Sequence, residues 1–145
     1  MTVVYAESSA VLGWLLGESR QSAVVASLAK AGRVVTSALT PVECARGLAR
    51  ARQLNRITHA EELAALRLLD AAVASWNVMG LSDQVAAYAR STFPIEPVRT
   101  LDALHLATAQ VFNAAIGPVR VLSLDERVCG SAKALGLRLA LGDQT

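Results

Sequence analysis

Aromatic side chains are scarce in this sequence, at 4% of 145 residues, and only two cysteines occur. So few aromatics leave no broad platform for stacking bases. Cys44 and Cys129 have no metal-type spacing and no disulfide framework around them. Each falls in a helical pattern where a small buried hydrophobe serves, so both are expected to be inert thiols. Long apolar runs are missing as well. AVLGWLL and LRLALG fall far short of the roughly 20 residues that span a bilayer. MTVVYAE carries no basic region followed by an apolar segment and a cleavage site, so no secretory signal is expected and the cytoplasm is the expected location. Charge of one sign is not in excess: 14 basic and 12 acidic residues leave a net +2, too mild to announce a nucleic-acid protein by its overall field.

What is present is apolar matter for a core. Hydrophobic residues make up 53% and charged ones 18%, a balance that excludes disorder and, at this length, predicts a single domain over residues 1–145. Short β-branched runs at 2–6 (TVVYA), 33–37 (RVVTS), 75–80 (SWNVMG) and 118–124 (PVRVLSL) are predicted strands, with LRLAL at 137–141 a fifth candidate. Between them, apolar residues recur three and four apart, as in ALTPVECARGLARARQL, HAEELAALRLLDAAVAS and TLDALHLATAQVFNAA, which predicts helices. Strands joined by helical crossovers imply an α/β fold with a mainly parallel sheet covered on both faces. FPIEPVR at 93–99, with two prolines, is expected to be a loop. Capping boxes are expected at Thr40–Glu43, Thr58–Glu61 and Ser123–Glu126, and Thr100 is expected to cap the helix that contains Asp102.

Four acids stand out against that background. Taken singly, Glu43, Asp102 and Asp125 fall at predicted helix starts, where an acid is stabilised by about 0.3–1 kcal/mol and needs no further purpose. Glu7 is different because it directly follows a buried strand, where an unpaired charge costs several kcal/mol. Ligands of open α/β sheets bind beyond the carboxyl ends of the strands, and Glu7, Glu43 and Asp125 each lie just past such an end. Asp102 begins the helix after the 93–99 loop and can return to the same edge. Four carboxylates in one cleft repel one another unless a cation joins them, and hard oxygen ligands suit Mg²⁺ or Mn²⁺. A divalent ion held in this way is what phosphodiester hydrolysis needs. No serine, cysteine or histidine triad offers a rival; His59 and His105 sit in helical patterns and are expected to be surface or core residues.

VYAESSAVLGWLLGE, TSALTPVECARGLARA, VRTLDALHLATA and VLSLDERVCGSAKALGL resemble, in that order and over nearly the whole chain, the four blocks of PIN-domain ribonucleases of the VapC toxin type. The resemblance implies a PIN-like three-layer α/β/α domain with a sheet of 4–5 strands. It also implies a metal-dependent endoribonuclease, the toxin of a type II toxin–antitoxin pair, using Mg²⁺ or Mn²⁺, restrained by a VapB-type antitoxin and typically a homodimer. Position by position, the family's acids fall on Glu7, Glu43, Asp102 and Asp125, with Glu7, Asp102 and Asp125 as the metal ligands and Glu43 as a ligand or an acceptor that orients water. The sequence departs from the family at Glu7, where aspartate is usual. One extra methylene moves the carboxylate by over an angstrom, so an alternative is a PIN-like module that binds antitoxin or RNA without efficient cleavage.

Supporting positions complete the expectation. Ser9 is placed to hydrogen-bond a water of the site or the Asp125 carboxylate. Arg46 and Arg50 follow Glu43 by three and seven residues on one helical face, and Arg99 precedes Asp102; these three are candidate RNA contacts, against the plainer reading of a solvated basic face. The apolar segments around Trp14 suggest a groove for an amphipathic antitoxin helix, unless Trp14 is core. A phosphoacceptor signalling domain also gathers acids around Mg²⁺, but no lysine lies on a late strand: Lys30 and Lys133 are in helical patterns.

Overall fold

The computed structural model describes residues 1–142. In chain order the elements are β1 (Val3–Ala6), α1 (Ser8–Leu15), α2 (Gln21–Lys30), β2 (Arg33–Ser37), α3 (Leu39–Gln53), α4 (His59–Ser75), β3 (Asn77–Met79), α5 (Asp83–Ala89), α6 (Thr100–Ile116), β4 (Val119–Leu122), α7 (Glu126–Ala134) and β5 (Arg138–Leu139). The strands form one five-stranded sheet in the order β3-β2-β1-β4-β5, with every pairing parallel. All strand carboxyl ends therefore lie along one edge. No helix among the described residues is long and apolar enough to cross a membrane.

β1 is central and buried along its whole length, as a parallel strand with helices on both faces must be. Its side chains alternate between two cores. Val3 and Tyr5 pack with Leu106, Ala109 and Phe112 of α6 and with Val128 and Ala132 of α7. Val4 and Ala6 face the other way, toward clusters that include Ala10 and Val11 of α1, Val24 of α2, Cys44 of α3 and Leu69 of α4. The result is the three-layer α/β/α arrangement that the PIN resemblance implies. Trp14 is half-buried between the two clusters on the α1 side, so it is chiefly a core residue. α3 approaches α1 closely at Gly47, where a Cβ atom would come within 2.5 Å of the Leu12 side chain. Gly117, with φ of 91°, ends α6 and turns the chain into β4.

The helix starts are only partly those predicted. At Thr58 both bonds of the capping box form, with Glu61 N donating to Thr58 Oγ1 and Thr58 N to Glu61 Oε1. The other three assignments need correction. α3 begins at Leu39, one residue after Ala38, so Thr40 lies inside the helix, where its hydroxyl accepts from Thr36 Oγ1 at 2.7 Å; Glu43 is then past the first turn. Arg99, not Thr100, precedes α6, and it makes no side-chain cap. At α7 the cap is Asp125, whose carboxylate accepts from the N–H groups of Arg127 and Val128, while Ser123 points to Glu7. The 93–99 loop is irregular as expected and is pinned by Glu96, which accepts from Phe93 N at 2.9 Å and Val98 N at 2.8 Å. That pinning sets where Arg99 and Asp102 emerge.

Candidate active site at the carboxyl edge of the sheet

Each of the four acids reaches the carboxyl edge by a different route. Glu7 follows β1, Glu43 lies one turn into α3 after β2, Asp125 caps α7 after β4, and Asp102 lies in the first turn of α6. Locally they are held in three separate groups of polar contacts.

Glu7 caps α1 and is only 5% exposed. Its Oε2 accepts from Ser9 N at 2.7 Å, and its Oε1 accepts from Ser9 Oγ at 2.7 Å and Ser123 Oγ at 2.6 Å. Ser9 therefore turns to Glu7, and to Leu124 N, which donates to its hydroxyl; it makes no bond to Asp125. Three donors satisfy this buried carboxylate without a metal, which answers the desolvation problem that Glu7 posed.

Glu43 is held through a second group. Its Oε1 accepts from Ser8 Oγ at 2.8 Å and from His105 Nε2 at 2.5 Å, leaving Oε2 as an acceptor for water. His105 is 2% exposed, and its Nδ1 lies 2.7 Å from the Tyr5 hydroxyl. Burial, and then the charge of Glu7, hold the Tyr5 phenol well above its ordinary range, so it keeps its proton. Tyr5 then donates to Nδ1, and His105 carries its own hydrogen on Nε2 to give to Glu43, a tautomer assigned from this network. Burial alone would raise the Glu43 carboxyl, but the bonds from His105 and Ser8 outweigh it and hold the group below its usual range. His105→Leu is expected to cost about 1–3 kcal/mol, since Glu43 and Tyr5 both lose a buried partner. The check is a lower urea midpoint with an unchanged slope.

Asp102 and Asp125 form the third group, and they converge on one cation. The Arg99 guanidinium donates from Nε to Asp102 Oδ2 at 3.2 Å, and its Nη2 lies 3.2 Å from Asp102 and 3.7 Å from Asp125. Both carboxylates keep partial exposure, 20% and 30%. Arg99, expected as an RNA contact, is thus the counter-ion of the aspartate pair. Arg46 and Arg50 are exposed on α3, as an RNA-facing pair must be. Arg52, their neighbour, is taken up by the buried Glu62 at 2.6 Å.

Among the described residues, no three histidine, cysteine, aspartate or glutamate side chains stand together as a formed metal cage. The donor set still fits a hard divalent ion in part. Asp102 and Asp125 are oxygen donors already oriented about a positive charge, and an exposed ion pair such as theirs with Arg99 is worth only about 0–1 kcal/mol, so a cation can displace it. Glu7 fits less well, because its oxygens are engaged by the serines.

The contributions of Tyr5, Ser8, His105 and Ser123 were not legible in the sequence beforehand. One signal existed for His105: it follows Asp102 by three residues and so shares its helical face. Cys44 is buried, and burial together with the charges of Glu43 and Glu7 pushes its thiol up to about 12. Cys129, half-buried, is raised by burial too. Both agree with inert thiols.

The chain is similar to known proteins over most of its length. Residues 4–134 match the PIN domain family. The chain is 32% identical over 137 residues to Ribonuclease VapC46 of Mycobacterium tuberculosis, covering 94% of this chain and 95% of that protein. It is 30% identical over 112 residues to Ribonuclease VapC35 of the same organism, covering 77% of this chain and 75% of the relative. Two solved structures share the fold. The structure of FitAB bound to an IR36 DNA fragment aligns with a TM-score of 0.67 at 18% identity, over 94% of this chain and 92% of the other. A toxin–antitoxin complex from Klebsiella pneumoniae aligns with a TM-score of 0.60 at 15% identity, over 90% and 93%.

Proposed function

From the premise that this chain belongs to the PIN-domain family, in its VapC-type ribonuclease branch, we infer that it is the nuclease toxin of a toxin–antitoxin pair, hydrolysing RNA phosphodiester bonds with Mg²⁺ or Mn²⁺. The observation that carries this is the convergence of Asp102 and Asp125 on a single positive charge at the carboxyl edge of the sheet. Asp102 and Asp125 would hold the ion, with Glu7 joining directly or through water. When bound, the ion supplies the charge that acidifies a water and polarises the phosphoryl oxygen. Glu43 accepts from the attacking water through its free Oε2, while His105 and Ser8 fix its other oxygen and so its orientation. Arg46 and Arg50 run along α3 beyond Glu43 and attract the RNA backbone. The chain acts in the cytoplasm, as a homodimer held in check by a VapB-type antitoxin, a partner consistent with the name of the Klebsiella complex whose fold it shares.

A second reading has its own support. Glu7 is longer than the family's aspartate, and its carboxylate is turned in, with both oxygens engaged by Ser9 and Ser123. That arrangement favours a module whose cleavage is impaired while binding of antitoxin or RNA persists.

End-labelled structured and unstructured RNAs, incubated with the antitoxin-free chain in Mg²⁺ or Mn²⁺ and with a chelator control, separate the two. Metal-dependent cleavage supports the nuclease, and RNA binding without cleavage supports the impaired module. Mn²⁺ binding has an independent readout. At roughly 100 times its Kd, Mn²⁺ is expected to stabilise the fold by about 2.7 kcal/mol, a rise in Tm of about 5–10 °C for a chain of this size. An unchanged Tm across millimolar Mn²⁺ counts against any metal site here.

A further inference from the structure

A cavity of about 360 Å³ opens directly beside the aspartate pair, between the 93–99 loop, the first half of α6 and α7. Its size lies at the lower end of the roughly 300–1,000 Å³ usual for small-ligand pockets. The floor is apolar, with Leu106 and Val128 almost wholly buried, and Val98 and the exposed Pro97 extend the apolar lining outward. The rim is cationic. Arg99 and Arg127 both line it together with Asp102, so its side chains sum to +1. Arg127 is exposed and has no ion-pair partner among the described residues, unlike Arg99.

We propose that this cavity is a nucleotide subsite, which seats the RNA nucleotide adjoining the scissile phosphate. An apolar floor with a cationic rim is complementary to a nucleotide unit: a flat base needs dry, sequence-tolerant contact, and a phosphate needs a guanidinium. The alternative, a purely hydrophobic occupant, would strand two arginines at its edge, and a bare anion would leave the apolar floor unfilled. The assignment deepens the nuclease reading and rests on it for the position of the scissile phosphate, which would lie at Asp102. Ser131, half-buried on α7, also lines the cavity. Base preference next to the cut is then set by Val98, Ser131 and Val128, and not by stacking on aromatic residues.

The test titrates the full-length chain, in chelator so that no divalent ion is present to drive hydrolysis, with an RNA dinucleotide, and follows the methyl resonances of Leu106 and Val128 by NMR. Saturable shifts of both methyls are expected. Ser131→Phe, which fills the cavity, is expected to abolish them with unchanged far-UV circular dichroism, and Ser131→Ala to leave them intact. Arg127→Gln is expected to weaken binding about tenfold, as the loss of one charge-assisted phosphate contact. Shifts that survive Ser131→Phe, or identical methyl shifts with inorganic phosphate alone, would overturn the subsite. The nuclease reading fails separately. Dinucleotide in the cavity without cleavage of any RNA, even after Glu7→Asp, refutes the nuclease and leaves only a nucleotide-binding cavity; cleavage with no dinucleotide in the cavity overturns the subsite and leaves the nuclease.

Discussion

Asp102→Asn is expected to lower metal-dependent RNA cleavage by more than about 10²-fold, since even groups that only support a metal ligand cost about 10–100-fold when removed. The substitution is nearly isosteric, so its effect on folding is expected to be small. Asp102 sits in the first turn of α6, where an acid gains about 0.3–1 kcal/mol from the free N–H groups, and its other partner is the exposed Arg99. The two contributions are separable by measurement. Cleavage and the Mn²⁺-induced rise in Tm should vanish together, while Tm in chelator falls by only a few degrees. Cleavage by Asp102→Asn at the rate of the unsubstituted chain would remove the acidic edge as the site of chemistry. The same experiment in Arg99→Ala carries the opposite sign for metal: with the competing guanidinium gone, Mn²⁺ is expected to bind more tightly.

Glu7→Asp is expected to raise cleavage by on the order of 10²-fold, the scale on which a misplacement of about 1 Å acts. In the present chain the carboxylate reaches back over α1 to Ser9 N and sideways to the hydroxyls of Ser9 and Ser123. Aspartate is among the preferred capping residues, so the start of α1 survives the change. One methylene shorter, the carboxylate no longer reaches all three donors, and an oxygen is left for the ion. Single-turnover cleavage rates of the two chains at saturating Mn²⁺ measure this directly. Equal rates would mean that glutamate serves as a ligand as it stands, its serine bonds giving way when metal arrives.

Much of this protein is legible in its sequence. The parallel sheet and the helices between its strands follow from β-branched runs and apolar periodicity, and the irregular 93–99 loop from its two prolines. The α4 box at Thr58 followed from a local rule that the structure obeys. Boundaries failed where a side chain had a better partner elsewhere. Thr40 does not cap because β2 runs into α3 with almost no connection and Thr36 claims its hydroxyl. Asp125 caps α7 in place of Ser123, whose hydroxyl accepts from Asp125 N and donates to Glu7, 116 residues away.

The same division runs through the site. Residue types and their places after strand ends are sequence properties, because a parallel sheet brings every strand's carboxyl end to one edge. By itself, then, the sequence determined the α/β architecture, the PIN resemblance and the four acids at that edge. Only the tertiary structure decided which acids face one another: Asp102 with Asp125 across Arg99, Glu43 on His105, and Glu7 folded back onto two serines. Glu43 and Glu7 are placed by hydrogen bonds between residues 62 to 116 positions apart in the chain: His105 to Glu43, Tyr5 to His105 and Ser123 to Glu7. Such bonds depend on rotamers and burial that exist only once the layers have packed, whereas periodicity and capping act within a turn or two of the chain.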